Sequence, residues 1–202
     1  MTGPNETIRS IHERHSVRLF SDRPVDDSDL QVLLEAANKA PSAHNQQSWR
    51  FVVLRGGRKK AELADLISGK AADFPRPQST LLRMGARSIV SAPVVVAVAN
   101  TGELIRHGSE LFQFDRQGAR DFFRTMEIQS SAAAVENLLL AATSLGIGSV
   151  WLGILFLVKR EVREFLGEPD GEFMAVVALG YPARETKGPK KRPLEAVARF
   201  LD

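Results

Sequence analysis

The chain of 202 residues contains no cysteine. That excludes disulfides, cysteine-ligated iron–sulfur clusters and thiol nucleophiles, and leaves the redox compartment open. Histidine is scarce as well, with four in all. His12 and His15 lie three apart, but no acidic residue is spaced to complete a metal site, so no metal is expected. No GxSxG elbow is present. Gly146-x-Gly148 lacks the third glycine of a dinucleotide fingerprint and precedes a strand pattern instead of following one. Gly56-Gly57-Arg58-Lys59-Lys60 is not a phosphate-binding P-loop. There is one tyrosine and there are two tryptophans, with no aromatic–basic interleaving of the kind that reads nucleic acid. No apolar run approaches the ~20 residues of a membrane span. The first ten residues lack the apolar core of a signal peptide, so a cytoplasmic protein without a membrane partner is expected.

What is present is the composition of an ordinary globular protein, 44% hydrophobic and 25% charged. The length suits one domain over residues 1–202. The net charge of +3 matters only where cations cluster, at Arg14 and Arg18 and again at Arg184, Lys187, Lys190, Lys191 and Arg192. Such clusters suit an anion, and a single phosphate needs only a few of them.

The pattern predicts helices over 7–13, 27–40, 59–67, 81–90, 119–145 and 159–166. Ile8 and Ile11 are expected to face inward, Asp27 or Ser28 to cap the second helix, and Leu30, Leu33, Leu34 and Ala37 to form its buried stripe. Strands are expected at 51–54, 94–99, 150–152 and 173–180. The run Val94-Val95-Val96-Ala97-Val98-Ala99 suits a sheet covered on both faces. Residues 68–79 and 100–118 read as loops, the second partly helical, and 193–200 as a last short helix. Helices and strands mix without strict βαβ alternation, which favours α+β. The stretch 119–153 stands out. Its helix is apolar on nearly every face, with a small centre at Ser130-Ser131-Ala132-Ala133-Ala134, and must be buried. Gly146 suits the left-handed turn that ends it.

Three constellations could carry chemistry. Arg14, Ser16 and Arg18 alternate, so an extended segment presents all three on one face, either as a phosphate cradle or as a solvated strand. Ser42, Asn45 and Gln47 offer amides and a hydroxyl to a heterocycle edge, or merely cap a turn. Gly153, ending a strand without a side chain, lets a ligand approach the backbone. With no evident side-chain nucleophile or metal, an organic cofactor would explain an enzymatic role.

Taken in order, these stretches resemble the FMN-dependent nitroreductase family. Arg14-His15-Ser16-Val17-Arg18-x-Phe20 is similar to its opening motif. Ala40-Pro41-Ser42-x-x-Asn45-x-Gln47-x-Trp49-x-Phe51 is similar to its second, and residues 145–153, LGIGSVWLG, to its third. Gly180-Tyr181-Pro182 and Lys190-Lys191-Arg192-Pro193-Leu194 complete the set. The resemblance implies an α+β fold with a central mixed or antiparallel sheet flanked by helices, in an interlocked homodimer with FMN at the subunit interface. By position, Arg14, Ser16, Arg18, Lys190 and Arg192 would serve the phosphate and pyrimidine side, His15 mainly through its backbone. Pro41, Ser42, Ala43 and Asn45 would come from the other subunit. Leu152 and Gly153 would offer backbone N–H groups near flavin N5 and O4, and Arg87 would reach N1/O2. No side chain need be catalytic. Electrons would pass from NADH or NADPH through flavin N5 to a nitroaromatic, quinone or similar acceptor by a ping-pong mechanism. Flavin sequestration and reductive dehalogenation are the alternatives within the family. Polyanion binding by the basic tail is the alternative outside it. Ser48 stands where the family usually has proline, which is expected to loosen that loop.

Overall fold

The computed structural model describes residues 5–111, 116–168 and 171–201. Its elements follow one another as α1 (Glu6–Glu13), α2 (Asp27–Asn38), β1 (Trp49–Leu54), α3 (Gly57–Lys70), α4 (Arg76–Ser91), β2 (Val94–Asn100), α5 (Glu103–Leu111), α6 (Arg116–Ser144), β3 (Gly148–Trp151), α7 (Lys159–Leu166) and β4 (Phe173–Gly180). The strands form an antiparallel sheet in the order β1-β2-β4-β3. This is an α+β architecture.

Alternation along the two central strands explains why both faces are covered. On β2, Val95 and Ala97 join one apolar cluster with Leu63 and Ile67 of α3, Leu82 and Ile89 of α4 and Val162 of α7. Val94, Val96 and Val98 join the other, with Leu33 of α2 and Leu138 and Ala142 of α6. Strand β4 repeats the division, Val176 and Ala178 on one side and Ala175, Val177 and Leu179 on the other. All seven residues of β2 are buried, as expected of a continuous apolar run between two helical layers.

Helix α6 ends as its sequence predicts. Gly146 has φ +69°; its N–H donates to Thr143 C=O at 3.0 Å, and the Ile147 N–H to Ala142 C=O at 2.8 Å. This double closure satisfies carbonyls left free at a helix end. Gly167, with φ +74°, ends α7 in the same conformation.

Several expectations need correction. Ile8 and Ile11 do not face inward; both are exposed on α1, which buries no residue in this chain. Asp26, not Asp27 or Ser28, occupies the N-cap of α2, and its side chain makes no capping bond. Residues 68–79 are mostly helical: α3 extends to Lys70, a 3-10 turn spans Ala71–Asp73, and α4 already begins at Arg76. The prolines there do not break the helix. Pro75 precedes it and Pro77 sits in its first turn, where no backbone N–H needs an internal acceptor. Residues 100–118 contain α5 and the start of α6, and 112–115 lie outside the described residues. The last helix reduces to a 3-10 turn, Leu194–Ala196. Helix α6 is not buried all round within one chain: Phe122 remains exposed, and Met126, Ile128, Ala132, Ala133 and Leu140 are only partly covered. Among the described residues no helix is long and apolar enough to cross a membrane.

Candidate functional site

The segment 14–20 is held from both sides. Val17 N–H donates to Ser149 C=O at 2.9 Å, and Ser16 forms a parallel bridge with Ser149 on β3. Further along, Ser21 N–H donates to Tyr181 C=O at 2.8 Å and Ala183 N–H to Leu19 C=O at 3.1 Å. Val17 and Phe20 are buried and anchor the segment. Alternation then leaves Arg14, Ser16 and Arg18 on the open side. They line a cleft of about 320 Å³ together with His12, Glu13, His15, Lys187, Gly188, Pro189 and Lys191. Its guanidiniums, ammoniums and hydroxyl are a donor set for a phosphate, with one opposing carboxylate on Glu13. Arg14 is steered by a second carboxylate, its Nε lying 3.7 Å from Glu136 Oε1 on α6.

His15 does more than lend its backbone. Its Nδ1 lies 2.8 Å from Glu13 C=O and its Nε2 2.8 Å from Thr186 Oγ1. A carbonyl only accepts, so Nδ1 carries the proton, and in the neutral ring Nε2 accepts from the Thr186 hydroxyl. The ring pins the C-terminal tail to the cleft. Gly188 lets that tail come close, since a Cβ there would stand 2.9 Å from His15 Cβ.

A second hollow of about 170 Å³ adjoins the first through Arg18, which lines both. Its walls are Leu81, Met84, Gly85 and Ser88 of α4 and residues 150–154. Ser88 Oγ donates to Arg18 C=O at 3.1 Å, tying α4 to the arginine segment. Gly153 opens a 3-10 turn (Gly153–Val158) and has nothing within 4 Å of where a Cβ would be. Its N–H has no backbone acceptor among the described residues, as expected at the first position of a turn. The Leu152 N–H is different. It donates to Val176 C=O at 2.8 Å, because pairing with β4 continues one residue past β3. Of the two N–H groups expected to face a cofactor, the structure therefore leaves the one on Gly153 free.

The polar loop lies elsewhere in the chain. Ser42 Oγ accepts from Gln47 N–H at 3.1 Å, and Ala43 N–H donates to Ser130 Oγ at 3.1 Å on α6. His44, Asn45 and Gln47 all have φ near +50°, a region that non-glycine residues seldom occupy and that costs energy to hold. Pro41, Ser42, Ala43 and Asn45 line neither hollow of the groove. Nor do Lys190 and Arg192, which are exposed on the tail. Lys187 and Lys191 stand in the cleft in their place. Side chains two and four apart in an extended tail share a face, and here that face carries 187, 189 and 191. Arg87 is exposed on α4 beside the second hollow without lining it. Among the described residues, no group of three or more His, Asp or Glu is placed to hold a metal ion.

Ser48, in the usual proline position, is buried beside Glu127, and its C=O accepts from Thr101 N–H at 3.1 Å. Glu127 of α6 is 1% exposed. Its Oε1 accepts from Leu104 N–H at 2.9 Å, in the first turn of α5. The Ser48 hydroxyl lies near the carboxylate without a well-formed hydrogen bond to it, and Oε2 is unsatisfied. Burial pushes the Glu127 carboxyl above its ordinary range, and the backbone donors of α5 only partly oppose that.

With this geometry the chain can be placed among known proteins. The nitroreductase family model matches residues 11–181, and the chain belongs to that family. It is 31% identical over 183 residues to a protein of Archaeoglobus fulgidus provisionally named NADH dehydrogenase/NAD(P)H nitroreductase, with 89% of this chain and 87% of that one covered. The solved structure of a BluB-like flavoprotein from Clostridium difficile is 28% identical and superposes with a TM-score of 0.79 over 96% of this chain and 98% of that one. A nitroreductase with bound FMN from Desulfitobacterium hafniense, 23% identical, shares the fold with a TM-score of 0.76 over 98% of this chain and all of that one.

Proposed function

We propose that the chain binds FMN in the groove running from the cationic cleft past Arg18 to Gly153, and that it is an FMN-dependent NAD(P)H oxidoreductase. The observation that carries this reading is the continuity of the groove. A phosphate donor set at one end joins, through Arg18, an apolar-walled hollow whose far edge is an open glycine with a free N–H. Arg14, Ser16, Arg18, Lys187 and Lys191 would hold the phosphate. Leu81 and Met84 would support the ring, and the Gly153 N–H would donate to its N5/O4 edge. Arg87, next to this wall on α4, would approach the pyrimidine. When bound, FMN would supply reversible transfer of two electrons at N5; the chain itself supplies binding, orientation and charge. Donor and acceptor would use the same open face in turn, a ping-pong scheme, and the acceptor would be a nitroaromatic, a quinone or a similar compound.

We also propose a homodimer. Pro41, Ser42, Ala43 and Asn45 lie outside the groove of their own chain, and one side of α6 is incompletely covered. Supplying that loop from the partner subunit would complete the site. An anaerobic absorbance spectrum before and after adding NADH and NADPH separately tests the reading. A flavin spectrum that bleaches with a nicotinamide is expected. A colourless protein that cannot be reconstituted with FMN would overturn it. The similarity to a BluB-like flavoprotein supports one second reading, a flavin protein with other chemistry; bound FMN that neither nicotinamide reduces would select it.

A further inference from the structure

The groove wall contributed by α4 has a second face. Successive residues of a helix turn by about 100°, so Leu81, Met84, Gly85 and Ser88 share the flank that lines the hollow. Arg76, Arg83 and Arg87 share the outward flank, about a third of a turn round the helix from it, and all three are exposed. Arg76 and Arg83 are seven residues apart, roughly 10 Å along the axis, and Arg83 and Arg87 roughly 6 Å. No acidic residue occurs anywhere on α4. Across the hollow, the turn Gly153–Val158 carries no charge. Asp73, the nearest acid before α4 in the chain, lies 3.7 Å from Lys70.

Several arginines elsewhere are paired. Arg14, Arg50, Arg55, Arg58, Arg124 and Arg160 each stand within ion-pair distance of a carboxylate. Among the described residues, Arg76 and Arg83 take part in no ion pair, side-chain hydrogen bond or ring contact. An uncompensated row of guanidiniums beside an apolar-walled site suits a ligand with an apolar head and phosphates trailing from it. The spacing of Arg76 and Arg83 suits two separated phosphate groups. A single carboxylate on an electron acceptor would engage only one of them.

We propose that Arg83 and Arg76 form a docking rail for the pyrophosphate and 2′-phosphate of NADPH, leading the nicotinamide past the α4 wall to the open face of the bound flavin. This inference rests on the oxidoreductase reading above and names NADPH as the favoured donor. Arg87, nearest the ring site, is left to the flavin.

The direct test is calorimetric titration of the FMN-loaded protein with 2′-phospho-ADP-ribose and with ADP-ribose, neither of which carries a nicotinamide. The wild type should bind the 2′-phosphorylated form more tightly. Arg83→Gln and Arg76→Gln should each weaken it by about tenfold, the scale of one charge-assisted contact. The wild-type affinity should fall as salt rises, and less steeply in the variants. In turnover, the ratio of kcat/KM for NADPH to that for reduced nicotinamide mononucleotide should drop by a similar factor. Unchanged binding of 2′-phospho-ADP-ribose in both variants overturns the rail. So does an equal loss with reduced nicotinamide mononucleotide, which would report a distorted groove. So does a loss confined to an anionic acceptor such as 4-nitrobenzoate, which would assign the arginines to the acceptor. A protein that takes up no FMN fails the functional reading first. Arginine-dependent binding of 2′-phospho-ADP-ribose to that flavin-free protein would still uphold the rail, and its absence would overturn it.

Discussion

Replacing Gly148 with alanine tests whether the arginine segment is positioned by close packing against β3. An alanine Cβ would stand 2.9 Å from both Cβ and Cγ2 of Val17, and 3.1 Å from the carbonyl oxygen of Gly180. Carbon atoms in good contact sit about 3.5–4.0 Å apart, so something must move by more than half an ångström. The Gly180 carbonyl is on the neighbouring strand, directly opposite Gly148 in the register, and it is the less free to yield. Val17 belongs to a segment outside the sheet, tied to it by isolated bridges at Ser16 and Phe20 and by single hydrogen bonds to Ser149, Tyr181, Ala183 and Ser88, not by a continuous strand ladder. The strain should therefore be relieved by displacing that segment, with Arg14, Ser16 and Arg18 on it. Overpacking of this kind costs about 1–3 kcal/mol. For a chain of this length each kcal/mol lowers Tm by about 2–4 °C. Urea unfolding of the flavin-free protein measures the first effect, and fluorescence titration with FMN the second. Affinity should fall at least about tenfold, or 1.4 kcal/mol. Val17→Ala in the same chain removes the Cγ2 contact and should recover part of both losses, a coupling visible in a double-mutant cycle. Unchanged stability would refute the packing argument. Lost stability with unchanged FMN affinity would refute the placement of the phosphate on this segment.

Two further expectations follow from single contacts. Arg14→Ala should weaken FMN binding by about 1.5–3 kcal/mol, the scale of a charged hydrogen bond; a titration showing wild-type affinity would remove Arg14 from the phosphate site. Glu127→Gln should change the pH dependence of stability. The buried carboxyl has its pKa raised from 4.5, so the folded state binds its proton more tightly than the unfolded state. The stability gained this way is full below about pH 4.5 and is lost as pH rises through the folded-state pKa. Glutamine keeps an acceptor for Leu104 N–H and cannot ionise. Urea midpoints of the variant should fall less than those of the wild type across that window, and parallel profiles would show that Glu127 does not titrate there.

Where the sequence was informative, one local interaction decided the outcome. Gly146 ended its helix as expected because a left-handed turn strongly prefers glycine, and Gly167 ends α7 for the same reason. The valines of β2 had to be buried because every one of them is apolar. The errors arose where a second element decided. Pro75 and Pro77 read as a loop because a proline signals a break unless the helix start is known. Ile8 and Ile11 have the right spacing for a buried stripe, but among the described residues no element covers α1 on that side. The alternation that selected Arg14, Ser16 and Arg18 also applies to the tail. There it separates Lys187 and Lys191 from Lys190 and Arg192, but only once the tail is seen to be pinned by Thr186 and Gly188 against His15. The resemblance put the N–H groups of both Leu152 and Gly153 at the cofactor; only the register with β4 shows that Val176 takes the one on Leu152. Nothing in the composition around Glu127 marks it as the buried carboxylate that holds α5, since its partners come from residues some twenty positions away.

The dimer proposal has a consequence that a single chain cannot mimic. Helix α6 carries both halves of the site, with Ser130 holding the loop at Ala43 and Glu136 facing Arg14. Six residues separate these points, roughly 9 Å along the axis. If the loop serves its own subunit's groove, Arg14→Ala and Asn45→Gly each spoil a site within one chain, and a heterodimer of the two variants contains no intact site. If the loop serves the partner subunit's groove, the same heterodimer concentrates both lesions in one site and leaves the other wholly wild type. Glycine is chosen at position 45 because it keeps the backbone at φ +52° without the strain alanine would add there. Coexpression with two different tags isolates the heterodimer from both parent homodimers. FMN titration should then find one site of wild-type affinity per heterodimer and none in either homodimer. Two equally weakened sites per heterodimer would place the loop and the arginines in the same subunit's site and remove the reason for sharing it.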